Sequence, residues 1–86
     1  MKITLTQSGG LPGRTKTATA EWPYLFEEFT AMAKKMETNS KSDTRDGYEY
    51  FLRAGPDGEE ILISIKSIDE KYSRVFEALF ENMKFV

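Results

Sequence analysis

A glycine-rich segment near the start of the sequence is the first candidate for chemistry. It reads SGGLPGR, from Ser8 to Arg14, and could cradle a phosphate, turn a hairpin or be held by another protein. Phosphate binding is excluded, because the segment matches neither G-x-G-x-x-G nor G-x-x-x-x-G-K-[ST], and the pattern that follows it is typical of a strand and not of a helix. A wide hairpin connection eased by glycines stays open. Turn chemistry does not explain an apolar Leu11 directly before Pro12, so Leu11 is a candidate contact residue.

Acidic residues are the other candidates, since the 86-residue chain contains no histidine and no cysteine. The usual catalytic triads, zinc-activated water and thiolate catalysis are therefore not available to it. Three adjacent carboxylate pairs remain: Glu27 with Glu28, Glu59 with Glu60, and Asp69 with Glu70. General acid–base catalysis needs a partly desolvated cleft, whereas adjacent charges on a helix or turn are ordinarily solvated. The sequence predicts a protein without catalytic residues, metal site or cofactor.

Length and charge limit the kinds of partner. The chain is short enough to form one domain, 1–86, whose apolar residues must nearly all serve a single core. Its 12 basic and 14 acidic residues give a net charge of -2, which offers no general attraction for nucleic acid or anionic lipid. No stretch has the apolar length of a membrane span or a signal peptide. We expect a cytoplasmic protein without nucleic-acid or membrane partners, with export lacking a recognisable signal as the alternative.

Side-chain periodicity predicts the first three elements. KITLT places Ile3 and Leu5 on one face of a strand, and TKTATA places Ala18 and Ala20 on the same face of a second strand. The two strands form a hairpin with the glycine-rich segment at its tip. A helical stripe follows, formed by Trp22, Leu25, Phe26, Phe29, Met32, Ala33 and Met36. Residues 37–47 are polar and lack periodicity, which indicates a connection.

A second hairpin is predicted around the turn sequence Pro56-Asp57-Gly58. Its arms are YEYFL and ILISI, and a shared apolar face fixes their register. The inner pairs are Leu52 with Ile61, Tyr50 with Ile63, and Tyr48 with Ile65; the outer pairs are Phe51 with Leu62 and Arg53 with Glu60. Because Phe51 and Leu62 lie away from the helices in this register, they are a candidate secondary contact surface.

The closing segment predicts a second amphipathic helix, with Ser67 and Glu70 as a capping box at its start. Its apolar stripe is Ile68, Tyr72, Val75, Phe76, Leu79, Phe80 and Met83. The aromatic residues at helical spacing in both helices are expected in the core. Each helix has one stripe to bury, so we expect an α+β domain of ββαββα order, in which a four-stranded antiparallel sheet carries both helices on one face.

The whole pattern resembles the emfourin family, small bacterial proteins similar to the protealysin inhibitor. The most specific part is a strand from Met1 or Lys2 that runs directly into Ser8-Gly9-Gly10, with another glycine soon after. RDGYEYFL, ILISI and the closing helix complete the resemblance, which covers nearly the full chain. It implies a reversible inhibitor of thermolysin-like zinc metalloproteases that is monomeric when free.

The resemblance also implies which residues bind the protease. They are Ser8, Gly9, Gly10, Leu11, Pro12, Gly13 and Arg14. Thermolysin-like enzymes favour a bulky apolar residue directly after the cleaved bond, which makes Leu11 the expected anchor. Pro12 lacks a backbone N–H and has a fixed φ, so it should hinder cleavage. The alternative function is a small non-catalytic interaction or self-assembly module that uses its outer sheet face or an open sheet edge.

Overall fold

The computed structural model describes residues 1–9, 15–37, 48–55 and 57–85, which form five strands and two α-helices. The elements are β1 (Lys2–Gly9), β2 (Lys16–Glu21), α1 (Phe26–Met36), β3 (Tyr48–Ala54), β4 (Ile61–Ile63), α2 (Ser73–Glu81) and β5 (Lys84–Phe85). Two short 3-10 turns, Ile65–Ser67 and Glu70–Tyr72, precede α2. The α+β class is confirmed, although the sheet has a fifth strand after the predicted order. Neither described helix is long and apolar enough to cross a membrane.

Strand β1 lies at the centre of the sheet. The strand order is β4-β3-β1-β2-β5, and every neighbouring pair is antiparallel. On one side Ile3 pairs with Ala20 and Leu5 with Ala18, so these residues share one face, as predicted for the first hairpin. On the other side β1 pairs with β3, which joins the two hairpins into one sheet. The backbone of β1 is therefore hydrogen-bonded along both edges.

Both helices pack on the same face of this sheet. Ile3, Leu5 and Leu52 point to that face and are fully buried. The buried helix residues in the same cluster are Phe29, Met32, Ala33 and Met36 from α1, and Val75, Phe76 and Leu79 from α2. Burying each large side chain stabilises the fold by about 1.5–3 kcal/mol. The opposite face of the sheet is thus the outer one, as the alternation of the strands predicts.

The second hairpin has the predicted register over a shorter length. Tyr50 pairs with Ile63, Phe51 with Leu62 and Leu52 with Ile61. The predicted pair of Tyr48 with Ile65 is wrong, because β4 ends at Ile63 and Ile65 begins a 3-10 turn. The backbone N–H of Ser64 donates to the Met36 carbonyl at 2.8 Å, which turns the chain towards the end of α1.

Helix α1 begins at Phe26, four residues later than the apolar stripe predicts. The Trp22 backbone N–H donates to the Met1 carbonyl at 2.8 Å, so Trp22 is still held beside β1. Its indole Nε1 donates to the Leu25 carbonyl at 3.0 Å. Leu25 and Phe26 were expected in the core, but they are 68% and 60% exposed. The stripe therefore overstates the core at this end of the helix.

The second helix is also shorter than predicted. Ser67 lies in a 3-10 turn separate from α2, so the predicted capping box is wrong; α2 begins at Ser73. Its end lies at Asn82, whose Nδ2 donates to the Ala78 carbonyl at 2.7 Å. The chain then pairs Lys84 with Thr17 to form the edge strand β5. Phe80, another residue expected in the core, is 37% exposed.

Candidate functional site

Ser8 and Gly9 are the last residues of β1, where the glycine-rich segment begins. Ser8 pairs with Glu49 and Gly9 with Tyr48. The φ of Gly9 is 105°, a backbone conformation that favours glycine. On the other edge of β1 the ladder with β2 closes at Gln7 and Lys16. Predicted site residues 10–14 lie outside the described residues. The structure describes the strand ends on either side of them and how the sheet holds those ends.

The outer face of the sheet carries the second set of predicted contact residues. Phe51 lies between Leu62 on β4 and Thr6 on β1, and all three are half-buried. Alternation along β1 puts Ser8 on this same face, whereas Gly9 belongs to the helix-covered face. The structure therefore brings Ser8, Phe51 and Leu62 to one surface.

Charged residues flank Phe51 along β3 on the outer face. Glu49 lies two residues before it and Arg53 two residues after it. Arg53 Nη1 lies 3.9 Å from Glu60 Oε1, so the predicted proximity of these two side chains is confirmed as an ion pair. The Arg53 Nε is buried and has no hydrogen-bond partner in the part of the chain that the structure describes. The Arg53 guanidinium thus retains donors that Glu60 does not use.

An apolar groove lies between α1 and the β3–β4 connection. It encloses about 350 Å³, and its apolar lining includes Phe26, Phe29 and Ile61. The small residues Ala54 and Gly58 line it as well. Sequence periodicity missed this groove because Leu25 and Phe26 fit the apolar stripe. The Pro23 two residues before Leu25 was the available signal that the first turn of the helix could lie outside the core.

An ionic cluster ties the start of α1 to the turn before α2. Lys71 Nζ donates to Glu28 Oε1, and the Tyr72 hydroxyl donates to the same oxygen at 3.3 Å. The other carboxylate oxygen of Glu28 accepts the Leu25 backbone N–H at 3.3 Å. Lys71 Nζ also lies 5.3 Å from the centre of the Tyr24 ring. These contacts fix two elements relative to each other, which is a structural role.

The same contacts change how the cluster titrates. The hydrogen bond from Lys71 lowers the pKa of Glu28, and that bond raises the pKa of Lys71. Burial raises the pKa of the Tyr72 hydroxyl. Each shift favours the form that is present at neutral pH: an ionised Glu28, a charged Lys71 and a neutral Tyr72.

The carboxylate pairs of the sequence divide between ion pairs and exposed positions. Glu28 binds Lys71 and Glu60 lies next to Arg53. The other members, Glu27, Glu59, Asp69 and Glu70, are exposed. Over the described ranges, no group of three or more acidic side chains is arranged to hold a metal ion.

Comparisons with known proteins find no match. No family model matches the chain, and no curated protein and no solved structure matches it. The emfourin resemblance and the binding residues taken from it therefore remain predictions. The resemblance rests on the sequence, and the structure adds how the sheet holds the two ends of the loop.

Proposed function

We propose that the protein is a non-catalytic, reversible inhibitor of thermolysin-like zinc metalloproteases, and that Ser8 to Arg14 bind at or beside the active-site cleft. The sequence resemblance supplies the class of target. The structural support is the way the sheet holds the two strand ends, Gly9 and Lys16, on either side of residues 10–14.

The observation that carries the proposal is the double pairing of β1. Its residues pair with β3 as far as Gly9 and with β2 as far as Gln7. Residue 10 thus follows the central strand directly, and β2 begins again at Lys16. A loop whose two ends are fixed in a sheet loses less conformational freedom on binding than a free peptide does. The protein therefore provides a rigid base for a short binding segment.

Leu11 and Pro12 have separate roles in this proposal. Leu11 fills the protease pocket that accepts the apolar residue after the cleaved bond. Pro12 offers no backbone N–H to the protease, and its ring fixes φ, so the segment aligns poorly for hydrolysis. Inhibition then depends on blocking the cleft and on packing, since the chain has no thiol or imidazole with which to bind the zinc.

Titration of thermolysin with the purified protein tests the proposal. We expect peptide hydrolysis to fall as the protein is added and to recover on dilution, because binding is reversible. A serine protease such as trypsin is the control and should keep its activity. Full thermolysin activity in the presence of a large excess of intact protein contradicts the proposed function.

Substitution of Pro12 tests its role in this proposal. In Pro12→Ala the backbone N–H returns and φ is released, so thermolysin should slowly cleave the Gly10–Leu11 bond. Mass spectrometry of the incubated mixture detects the two fragments, with the unmodified protein incubated in parallel. Equal persistence of both proteins shows that Pro12 does not protect the loop.

A further inference from the structure

The outer face of the sheet has a pattern that is complementary to itself. Along β3 it presents Glu49, Phe51 and Arg53 at two-residue steps, so opposite charges lie at equal distances on either side of an aromatic ring. Leu62 on β4 and Thr6 on β1 lie in the same row as Phe51, one on each side. In a twofold interface the same surface of each copy contacts the other. An acid and a base placed symmetrically about an apolar centre are therefore complementary across it.

We propose that this face binds the same face of a second copy of the chain. The twofold axis lies between the two sheets, runs perpendicular to β3 and passes over Phe51. Each strand then lies above its own counterpart and runs in the opposite direction. Phe51 packs on Phe51 and Thr6 on Thr6, while Arg53 of each copy lies over Glu49 of the other.

The charges favour this occupant. Arg53 has a buried Nε without a partner in the described part of the chain, and Glu60 approaches its Nη1 only to 3.9 Å. Glu49 of the second copy supplies a further carboxylate on the other side of the guanidinium. Hydrogen bonds between ionised groups are stronger than those between neutral groups, and partial removal from water strengthens them further. The dimer thus forms two such pairs around one apolar centre.

The sheet edges are poorer sites for a second copy. The edge strands β4 and β5 contain three and two residues. At Ile63, the far edge of β4 is already occupied by a bridge to Glu37. Short or covered edges limit strand-to-strand association, so the face, and not an edge, is the surface through which the chain pairs.

The size of the face sets the strength of the dimer. Each strand residue covers about 16 Å² of the sheet, so five strands of two to eight residues give a face of about 400 Å² on each copy. The pair then buries about 800 Å² in total, which is the size of a weak, transient interface. We expect a dimer that dissociates on dilution. The resemblance to the emfourin family implies a monomer instead, and that expectation is what the dimer would replace.

Charge reversal tests the proposal. Sedimentation over a wide range of concentrations should show a dimer for the unmodified protein. Glu49→Arg and Arg53→Glu each place like charges together and should weaken association at least about tenfold. The double variant Glu49→Arg/Arg53→Glu restores opposite charges and should restore the dimer. Glu77→Arg and Arg74→Glu make the same changes on the exposed surface of α2 and should leave association unchanged.

Two results of this experiment overturn the proposal. One is an unmodified protein that is monomeric at every concentration. The other is a folded double variant that remains as dissociated as the single variants. If the same single reversals instead weaken inhibition of thermolysin by a monomeric protein, the face belongs to the protease and the dimer is wrong.

Cross-linking provides a second measurement should a charge variant fail to fold. The chain has no cysteine, so one introduced thiol reports one position. In the proposed dimer the two Thr6 positions lie about 10 Å apart and the two Thr4 positions about 16 Å apart. A short bismaleimide should link Thr6→Cys to itself much more efficiently than Thr4→Cys, which shares its strand and face. Equal yields from the two variants contradict the twofold arrangement.

Discussion

The two hairpins of this sheet use their connections differently. In the second hairpin, the Gly55 backbone N–H donates to the Lys2 carbonyl at 2.7 Å, and Gly58 lies against the backbone of Ala54. That connection is part of the packed structure. In the first hairpin, the paired strands end at Gly9 and Lys16, and the sequence between them contains the apolar Leu11 that turn chemistry does not require.

This difference separates a connection that supports the fold from one that is proposed to bind a partner. Substitutions in the core and in the second connection should mainly change the free energy of unfolding. Substitutions at Leu11 should mainly change inhibition.

Matched leucine truncations should give the largest contrast. Leu79 is fully buried, so Leu79→Ala should lower the free energy of unfolding by about 2–5 kcal/mol. Leu11→Ala removes the same atoms from the proposed binding loop and should change it by less than about 0.5 kcal/mol. Urea denaturation followed by circular dichroism measures both values. A comparable loss in the two variants means that Leu11 belongs to the core.

Glycine substitutions in the second connection should give the next largest effect. A Cβ on Gly58 lies 2.2 Å from the Ala54 carbonyl oxygen, so Gly58→Ala forces the backbone to move. We expect a loss of about 1–3 kcal/mol. Gly55→Ala is the control, since no atom lies within 4 Å of its added Cβ and only its φ of 67° is unfavourable. Its loss should be about 1 kcal/mol. Unfolding midpoints that rank the two variants in the opposite order contradict the packing described for Gly58.

Acid sensitivity should show the smallest effect. Lys71 lowers the pKa of Glu28 below its ordinary value of 4.5, so the unfolded chain binds a proton more readily than the folded one. The stabilisation is present above that value and is lost as the pH falls through the pKa of folded Glu28. Glu28→Gln should therefore make the melting temperature depend less on pH in the acid range. Glu27→Gln, at an exposed neighbour, is the control, and an equal change in both variants contradicts the role of Lys71.

Much of the strand register could be predicted, because alternation states which side chains share a face. It predicted that Ile3 and Ala20 share a face and that Phe51 lies opposite Leu62. The pairing of β1 with β3 does not follow from alternation, since it joins residues distant in sequence. Strand β5 has two residues, too few for a period, and it follows directly after Met83, the last residue of a helical stripe. Leu25 and Phe26 also fitted a stripe, but periodicity does not show where the first turn of a helix leaves the core.

The inhibition constant of Leu11→Ala for thermolysin tests the central claim most directly. It should be measured beside that of the unmodified protein and of Leu25→Ala, which removes the same atoms from an exposed position before α1. We expect Leu11→Ala to inhibit at least about tenfold more weakly, a change of about 1.4 kcal/mol, with an unchanged melting temperature. Leu25→Ala should inhibit like the unmodified protein. Equal inhibition by Leu11→Ala and the unmodified protein contradicts the claim that the first connection is the binding segment.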